Sequence, residues 1–141
     1  MRVLFLADVP GNAPTSGSEM VLNHQMIGLR RRGHTVNAIT RQAGPFEMVR
    51  REVGGAVEAC YGASPDRPAR FAAALLTQPF KGFSGFVGSG PPDVVVAHQP
   101  FTCCSLMIRG ALHGIPMVYV FHSPSHREYR ILHAHRRHLF L

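Results

Sequence analysis

Short runs of apolar residues alternate along this chain with longer segments in which apolar residues recur at helical spacing. The runs predict strands, and those at 2–7 and 93–98 are typical of strands buried on both faces of a parallel sheet. The run at 56–61 is the weakest of the set. In chain order the runs are RVLFLA at 2–7, TVNAIT at 35–40, AVEACY at 56–61, DVVVAH at 93–98 and MVYVFH at 117–122.

A helix is predicted between the first two strands. Ser16-Gly17-Ser18-Glu19 fits a capping box, in which the Ser16 hydroxyl and the Glu19 carboxylate each accept a hydrogen bond from the other residue's backbone amide. Three arginines precede Gly33, which is placed to end the helix. The apolar residues that fall on one face of this helix are Leu22, Met26 and Leu29.

Further helices are predicted in the second half of the chain. Residues 65–92 contain an apolar helical patch, ARFAAALLTQPF, followed by a loop of uncertain form that is rich in glycine and phenylalanine. Pro100 begins a helix that runs through Leu112, and Ser123-Pro124 begins a last helix.

Strands that alternate with helices predict an α/β fold with a doubly wound, Rossmann-like parallel sheet in the strand order 3-2-1-4-5. Ligands bind such sheets at the carboxyl ends of the strands, where the winding reverses. The loop at 8–18, His98-Gln99 after the fourth strand and His122-Ser123 after the fifth should therefore face one crevice.

Length and composition fit one globular domain: the chain has 141 residues, of which 45% are hydrophobic and 16% charged. The net charge of +7 suits phosphorylated small molecules or an anionic membrane surface, whereas no nucleic-acid-binding motif is present. The apolar start is too short for a signal peptide, and no segment approaches the length of a membrane span. We therefore expect a cytoplasmic protein, with peripheral contact at the inner membrane as an extension of that expectation.

Neither a disulfide nor a metal site is expected. Cys60 stands alone, and Cys103 and Cys104 are neighbours, a spacing unsuited to an ordinary disulfide or a zinc knuckle. Small buried residues are the preferred interpretation of these cysteines, with a nucleophile at 103 or 104 as the alternative. His122 and His126 are separated by Ser-Pro, which begins a new helix, so they do not share a helical face as zinc ligands would.

The glycine-containing loop before the first helix suggests phosphate binding. A helix N-terminus offers unpaired amides and a partial positive charge, and Gly17 lets a ligand approach the backbone closely. The loop is neither a P-loop, because it lacks the lysine, nor a dinucleotide fingerprint, because Gly11 and Gly17 are too far apart. A simple capping loop with a permissive glycine remains the alternative.

Four segments taken together resemble the amino-terminal domain of GT-B glycosyltransferases of the family 4 type. They are RVLFLADVP, SGSEMVLNHQMIGLRRRGHTV, PPDVVVAHQP and GIPMVYVFHS, which follow the family's order along the chain. The resemblance implies one half of a GT-B architecture and a retaining enzyme of the hexosyltransferase type. It further implies that a nucleotide-sugar is the donor substrate and that no metal or other cofactor is needed. The resemblance does not identify the acceptor.

The resemblance also implies roles for individual residues. Gly17, with Ser18, matches the segment that lies near the donor diphosphate, although Ser16 stands where the family usually has a glycine. His122 matches the histidine that contacts the donor sugar near the reacting centre, which makes it the candidate catalytic residue. The residues assigned to the acceptor or to the surrounding loops are Glu19, His98, Gln99 and Ser123.

Relatives bind the nucleotide through a second domain, and no such segment is found in residues 1–141. The apolar end at Leu139-Phe140-Leu141 suggests a domain truncated in its last helix, with the donor-binding C-terminal domain missing. We therefore expect little or no turnover from this chain alone. The basic stretch at 133–138 is expected to be a solvated helix face, with contact to an anionic membrane as the alternative.

Two other functions stay in view. The first is a free-standing, non-catalytic module that binds a phosphorylated or nucleotide ligand or a partner protein. The second is a dinucleotide-dependent oxidoreductase, which is disfavoured by the glycine spacing and by Thr40-Arg41, where an acidic ribose partner would be expected.

Overall fold

The computed structural model describes residues 1–12, 14–88 and 90–121. Within these residues the strands form one six-stranded sheet, whose order is β3-β4-β2-β1-β5-β6. The elements are β1 (Arg2–Ala7), α1 (Gly17–Arg31), β2 (Thr35–Gln42), β3 (Met48–Val53), β4 (Ala56–Gly62), α2 (Pro68–Val87), β5 (Val94–Ala97), α3 (Pro100–Ile108) and β6 (Met117–Tyr119).

The strand order confirms the predicted doubly wound sheet. The five strands predicted from sequence are β1, β2, β4, β5 and β6, and they pair in parallel in the order 3-2-1-4-5. β1 lies at the centre, between β2 and β5, as its unbroken apolar sequence indicated. From β1 the chain continues to β2 on one side, and the strands that come later, β5 and β6, lie on the other side. The switch point of the sheet is therefore between the carboxyl ends of β1 and β5.

A hydrophobic cluster covers each face of the sheet. Phe5 of β1 packs with Leu22 and Met26 of α1 on one face. On the other face Leu6 of β1 packs in the cluster that contains Leu106 of α3 and residues of α2. Successive β1 side chains thus enter opposite cores, which is the reason that the strand needs apolar residues at every position.

β3 was not predicted from sequence. It pairs antiparallel with β4 at the edge of the sheet, and Gly54 and Gly55 form the connecting turn with φ values of 56° and 83°. Such a left-handed pair is the usual basis of a two-residue hairpin turn. The strand itself, MVRREV, exposes two charged residues, Arg50 and Glu52, together with Val49, so the hydrophobic pattern that marks a buried strand is absent.

α2 also differs from its prediction, because it continues as a helix through Pro79 into the segment predicted as a loop. Gly82 lies against the sheet, where a Cβ would come within 3.4 Å of Ile39 and Met48 side-chain atoms. The glycines in this segment therefore allow close packing on the sheet. α3 ends at Ile108 rather than at Leu112.

Candidate functional site

The carboxyl ends of β1 and β5 meet where the winding of the sheet reverses. The loop 8–16 leaves β1 at this edge on its way to α1, and α3 begins just after β5. Ligands of open α/β sheets bind outside this switch point. The structure thus brings the loop and His98-Gln99 to one edge of the sheet, as the sequence analysis expected.

Gly17 is the first residue of α1, and its surroundings are open. Apart from its chain neighbours and the nearby backbone of its own helix, no described atom lies within 4 Å of the position that a Cβ of residue 17 would occupy. The first amide that donates within the helix is that of Met20, to the Ser16 carbonyl at 3.0 Å, so the helix itself leaves the amides of Gly17 and Ser18 available. The predicted contact of these two residues with a donor phosphate stays a prediction, and their location is accessible to such a ligand.

Glu19 completes the predicted capping box. Its amide donates to the Ser16 hydroxyl at 3.4 Å, and its carboxylate accepts from the Ser16 amide at 2.9 Å and from the Thr15 hydroxyl at 2.9 Å. Desolvation pushes the pKa of Glu19 upward, but the hydrogen bonds from Thr15 and Ser16 together outweigh it and lower that pKa. The carboxylate is therefore ionised at neutral pH and fixes the end of the loop.

Asp8 caps α3 from a distance in sequence. Its carboxylate accepts hydrogen bonds from the Phe101 amide at 2.9 Å, the Thr102 amide at 3.0 Å and the Thr102 hydroxyl at 2.7 Å. The Asp8 amide donates to Gln99 Oε1 at 2.9 Å, so the side chain of Gln99 supports the loop rather than projecting into solvent. Sequence reasoning missed this role, and the only signal was an acidic residue directly after a buried strand.

His98 lies beneath the crevice. Its side chain is 1% exposed, its Nε2 lies 2.9 Å from Gln25 Oε1 of α1, and its ring centroid is 5.8 Å from that of Phe5. The predicted contact between His98 and an acceptor stays a prediction, since in this structure the ring packs against Gln25 of α1 and Phe5 of β1 and is almost entirely buried.

Glu58 of β4 anchors the middle of the loop. Its buried carboxylate accepts from the Gly11 amide at 2.7 Å and from the Thr40 hydroxyl at 2.6 Å, and it pairs with Arg51 Nε. Asn23 Nδ2 of α1 donates to the Gly11 carbonyl at 2.6 Å. Gly11 is therefore held from both sides, which the sequence did not predict.

Arg41 extends the polar network from β1 toward β4. Its Nε lies 3.9 Å from Asp8 Oδ1, its Nη1 donates to the Ala63 carbonyl at 3.3 Å, and its guanidinium lies 5.4 Å from the ring centre of Phe71. The Tyr61 and Thr102 hydroxyls are 2.8 Å apart, and the Thr102 hydroxyl links this contact to Asp8. Burial raises the pKa of Tyr61, so its hydroxyl stays protonated as part of a structural network.

A pocket of about 360 Å³ opens at the carboxyl ends of β2 and β4, next to the start of α2. We call it the arginine pocket, because Arg67 and Arg70 lie on its rim. Sequence reasoning did not identify it, since its walls come from separate segments. Its lining consists of residues 44–46, 62–64, 66, 67 and 70.

Residues 16–140 match the glycosyl transferase 4-like domain family. The chain belongs to this family. No curated protein sequence matches the chain. Among solved structures, the sucrose-phosphate synthase of Thermosynechococcus elongatus aligns over 92% of this chain and 35% of its own, with 13% identity and a TM-score of 0.65. MurG of Acinetobacter baumannii aligns over 90% of this chain and 38% of its own, with 14% identity and a TM-score of 0.49.

At these identities a likeness to solved structures shows the fold alone. The alignment with the sucrose-phosphate synthase, at a TM-score of 0.65, supports the fold. The Rossmann-like fold predicted as one half of a GT-B architecture is confirmed for this glycosyl transferase 4-like domain. The domain spans only 35% of the synthase chain and 38% of the MurG chain.

His122 and Ser123 lie outside the described residues, so the candidate catalytic residue of this glycosyl transferase 4-like domain stays a prediction. The described chain reaches the relevant edge of the sheet, because β6 pairs with β5 and the Val120 amide donates to the Ala97 carbonyl at 2.8 Å. His126 and residues 133–138 also lie outside the described part.

The described cysteines of the glycosyl transferase 4-like domain are free thiols. Burial raises the pKa of the Cys60 thiol and raises that of Cys103 to about 11, which disfavours a thiolate nucleophile at either position. Within residues 1–12, 14–88 and 90–121, no three His, Cys, Asp or Glu side chains are grouped to bind a metal ion. In the same ranges, every helix is too short or too polar to cross a bilayer.

Proposed function

We propose that this chain is the acceptor-side domain of a retaining glycosyltransferase that moves a sugar from a nucleotide-sugar to an acceptor without a metal or other cofactor. The single observation that carries the proposal is that the first turn of α1 is accessible and lies at the switch point of the sheet, in a chain that belongs to a glycosyl transferase family. The donor is a substrate, and its diphosphate is the group that this helix end would receive.

The chemistry of the helix end supports a diphosphate ligand. The Glu19 carboxylate bonds to Thr15 and Ser16, which precede the helix, and so does not occupy the Gly17 and Ser18 amides. Those amides and the positive end of the helix dipole favour the charge that develops on a leaving diphosphate. His122, which follows β6 in sequence, would orient the donor sugar, with positioning as its main contribution.

The proposal assigns nucleotide binding to a second domain, so this domain alone is expected to consume little or no donor. The proposed location is cytoplasmic, and the net charge of +7 supports peripheral contact with an anionic membrane.

Substitution of Gly17 tests the donor site. Gly17→Val places a branched side chain where the diphosphate would approach, and we expect donor affinity to fall by about tenfold or more because hydrogen bonds to a charged group are lost. Gly28→Val is the matched control, since Gly28 lies in the same helix and a Cβ there also meets no described atom within 4 Å. The measurement is titration of nucleotide-sugars into each variant of the complete enzyme. Equal affinity in both variants would exclude the α1 start as the diphosphate site.

Substitution of His122 tests the proposed chemistry separately. His122→Ala in the complete enzyme is expected to lower the rate of sugar transfer by about a hundredfold, while thermal stability changes little, because the imidazole orients the reacting sugar. Transfer at the wild-type rate would remove His122 from the site. A large loss of thermal stability would assign it a structural role instead.

A further inference from the structure

We propose that the arginine pocket binds a phosphate group of the acceptor, which is carried either by a free metabolite or by a lipid headgroup. The inference rests on the proposed function, because it names the class of acceptor that the domain would present to the donor. It is carried by a preformed cavity whose rim holds two arginines, and by the polar connection between that cavity and the crevice.

The size of the arginine pocket suits a small ligand. Its volume of about 360 Å³ lies within the range of about 300–1,000 Å³ that is usual for small-molecule sites. It lies at the carboxyl ends of β2 and β4, at the same edge of the sheet as the loop 8–16.

The charge of the rim favours an anion. The Arg67 and Arg70 side chains are exposed, and neither makes an ion pair with another residue in the described part of the chain. Asp66 also lines the pocket and opposes an anion, but its carboxylate already accepts a hydrogen bond from the Ser64 hydroxyl at 2.8 Å. Two guanidinium groups against one carboxylate leave the rim positive, and arginine binds phosphate with paired donors.

The start of α2 strengthens this preference. Arg67 is its N-cap residue but makes no side-chain capping bond, and Pro68 occupies the first turn. The positive end of the helix dipole therefore points toward the pocket rim without a capping side chain. α2 differs in this respect from α1, where Ser16 and Glu19 provide the cap.

The walls of the pocket are fixed by backbone contacts rather than by flexible side chains. The Gly62 amide donates to the Glu47 carbonyl at 2.9 Å, and the Ala63 amide donates to the Gln42 carbonyl at 3.0 Å. A Cβ at Gly62 would collide with the Pro45 carbonyl, so the two walls touch through their main chains. Phe46, which is 44% exposed, adds an apolar ring face that a sugar or polyol ring could pack against.

Arg41 connects the arginine pocket to the crevice. Its Nη1 bonds to the carbonyl of Ala63 in the pocket wall, and its Nε lies 3.9 Å from the Asp8 carboxylate at the end of β1. β2, which carries Arg41, lies between β4 and β1 in the sheet. A ligand whose phosphate lies at Arg67 and Arg70 can therefore extend along this edge toward the loop 8–16.

The test compares binding of inorganic phosphate, glucose 6-phosphate and glucose to the purified protein by calorimetric titration. We expect the two phosphates to bind and glucose to bind at least about tenfold more weakly. The double variant Arg67→Gln/Arg70→Gln should lose about tenfold or more of the phosphate affinity. The matched control, Arg31→Gln/Arg32→Gln, removes the same charge at the far end of α1 and should keep it.

A second arm identifies where the phosphate comes from. The phosphate of phosphatidylcholine is neutralised by its choline, so flotation with phosphatidylcholine vesicles, with and without phosphatidylinositol, shows whether the bound phosphate belongs to an anionic lipid headgroup. Vesicle binding that the arginine variant loses and the control retains supports the pocket with a lipid-borne phosphate. Soluble phosphate binding without vesicle binding supports it with a free metabolite.

Two results would overturn the inference. One is equal affinity for glucose and glucose 6-phosphate, and the other is an equal loss of phosphate affinity in the arginine variant and its control. Transfer to a neutral acceptor with an unchanged KM in the arginine variant would also reject the pocket while leaving the proposed function in place. In the complete enzyme, phosphate binding that depends on the arginines, with no transfer from any donor, would instead reject the transferase and leave the phosphate site.

Discussion

The starts of α1 and α3 lie at the same edge of the sheet, and a carboxylate accepts backbone hydrogen bonds near each of them. At α1 the carboxylate is local, because Glu19 lies within the first turn that it helps to cap. At α3 it comes from Asp8 at the end of β1, which is 94 residues before Thr102. The Asp8 side chain is 6% exposed, whereas the bonds of Glu19 lie at the surface.

The difference separates a closed helix end from an available one. At α3 the Asp8 carboxylate occupies the position that an anionic ligand would take, so the protein itself satisfies the Phe101 and Thr102 amides. At α1 the Glu19 carboxylate accepts from the Thr15 and Ser16 amides, which precede the helix. It does not occupy the amides of Gly17 and Ser18, which stay available to a ligand. Similar chemistry thus produces a structural joint in one case and a candidate ligand site in the other.

Removal of the Asp8 carboxylate should have the largest effect on this comparison. Asp8→Ala removes the acceptor of the buried Thr102 amide, of the part-buried Phe101 amide and of the strongest bond from the Thr102 hydroxyl, and we expect the free energy of unfolding to fall by about 3 kcal/mol. Equilibrium urea denaturation gives this quantity. Loss of the link between β1 and α3 is the physical cause.

Asp93→Ala is the control for Asp8→Ala, because Asp93 is an exposed acid that accepts a bond from the Arg2 amide at the opposite edge of the sheet. We expect it to cost less than about 1 kcal/mol. Similar losses in the two variants would mean that the α3 cap contributes no more than a surface contact.

The available helix end could be predicted from sequence because its signals are local. Ser16 and Glu19 stand three residues apart, and the capping box needs only that spacing. The strand order was predictable for a related reason, since apolar runs and right-handed connections restrict the topologies of a parallel sheet. Most of the fold and the location of Gly17 therefore followed from short-range patterns.

The closed helix end could not be predicted in the same way. Nothing near Asp8 in sequence indicates that Thr102 will be its partner, because that contact exists only after β1 and β5 have paired. The arginine pocket has the same character, since its walls join after β2 and β4 have paired. β3 escaped prediction for another reason: an edge strand with charged residues lacks the apolar run that marks a buried one.

Removal of the local cap should cost less than removal of the remote one. Glu19→Ala ends the bonds to Thr15 and Ser16, but water can replace the carboxylate at this exposed position. We expect the free energy of unfolding to fall by about 1 kcal/mol, measured by the same urea titration. A loss as large as that of Asp8→Ala would show that the two helix ends are not distinguished by burial.

The smallest expected effect is a dependence on pH of the stability that Glu19→Ala loses. The hydrogen bonds from Thr15 and Ser16 outweigh desolvation and lower the pKa of Glu19 from its ordinary value of 4.5, so the folded protein favours the ionised form. The contribution of Glu19 is then complete above the unfolded-state pKa and is lost as the pH falls through the lower, folded-state pKa. The stability gap between wild type and Glu19→Ala should therefore narrow as the pH falls below the ordinary glutamate pKa of 4.5 and through the lower, folded-state pKa. A gap that stays constant over this range would mean that the cap at the start of α1 does not depend on the charge of Glu19.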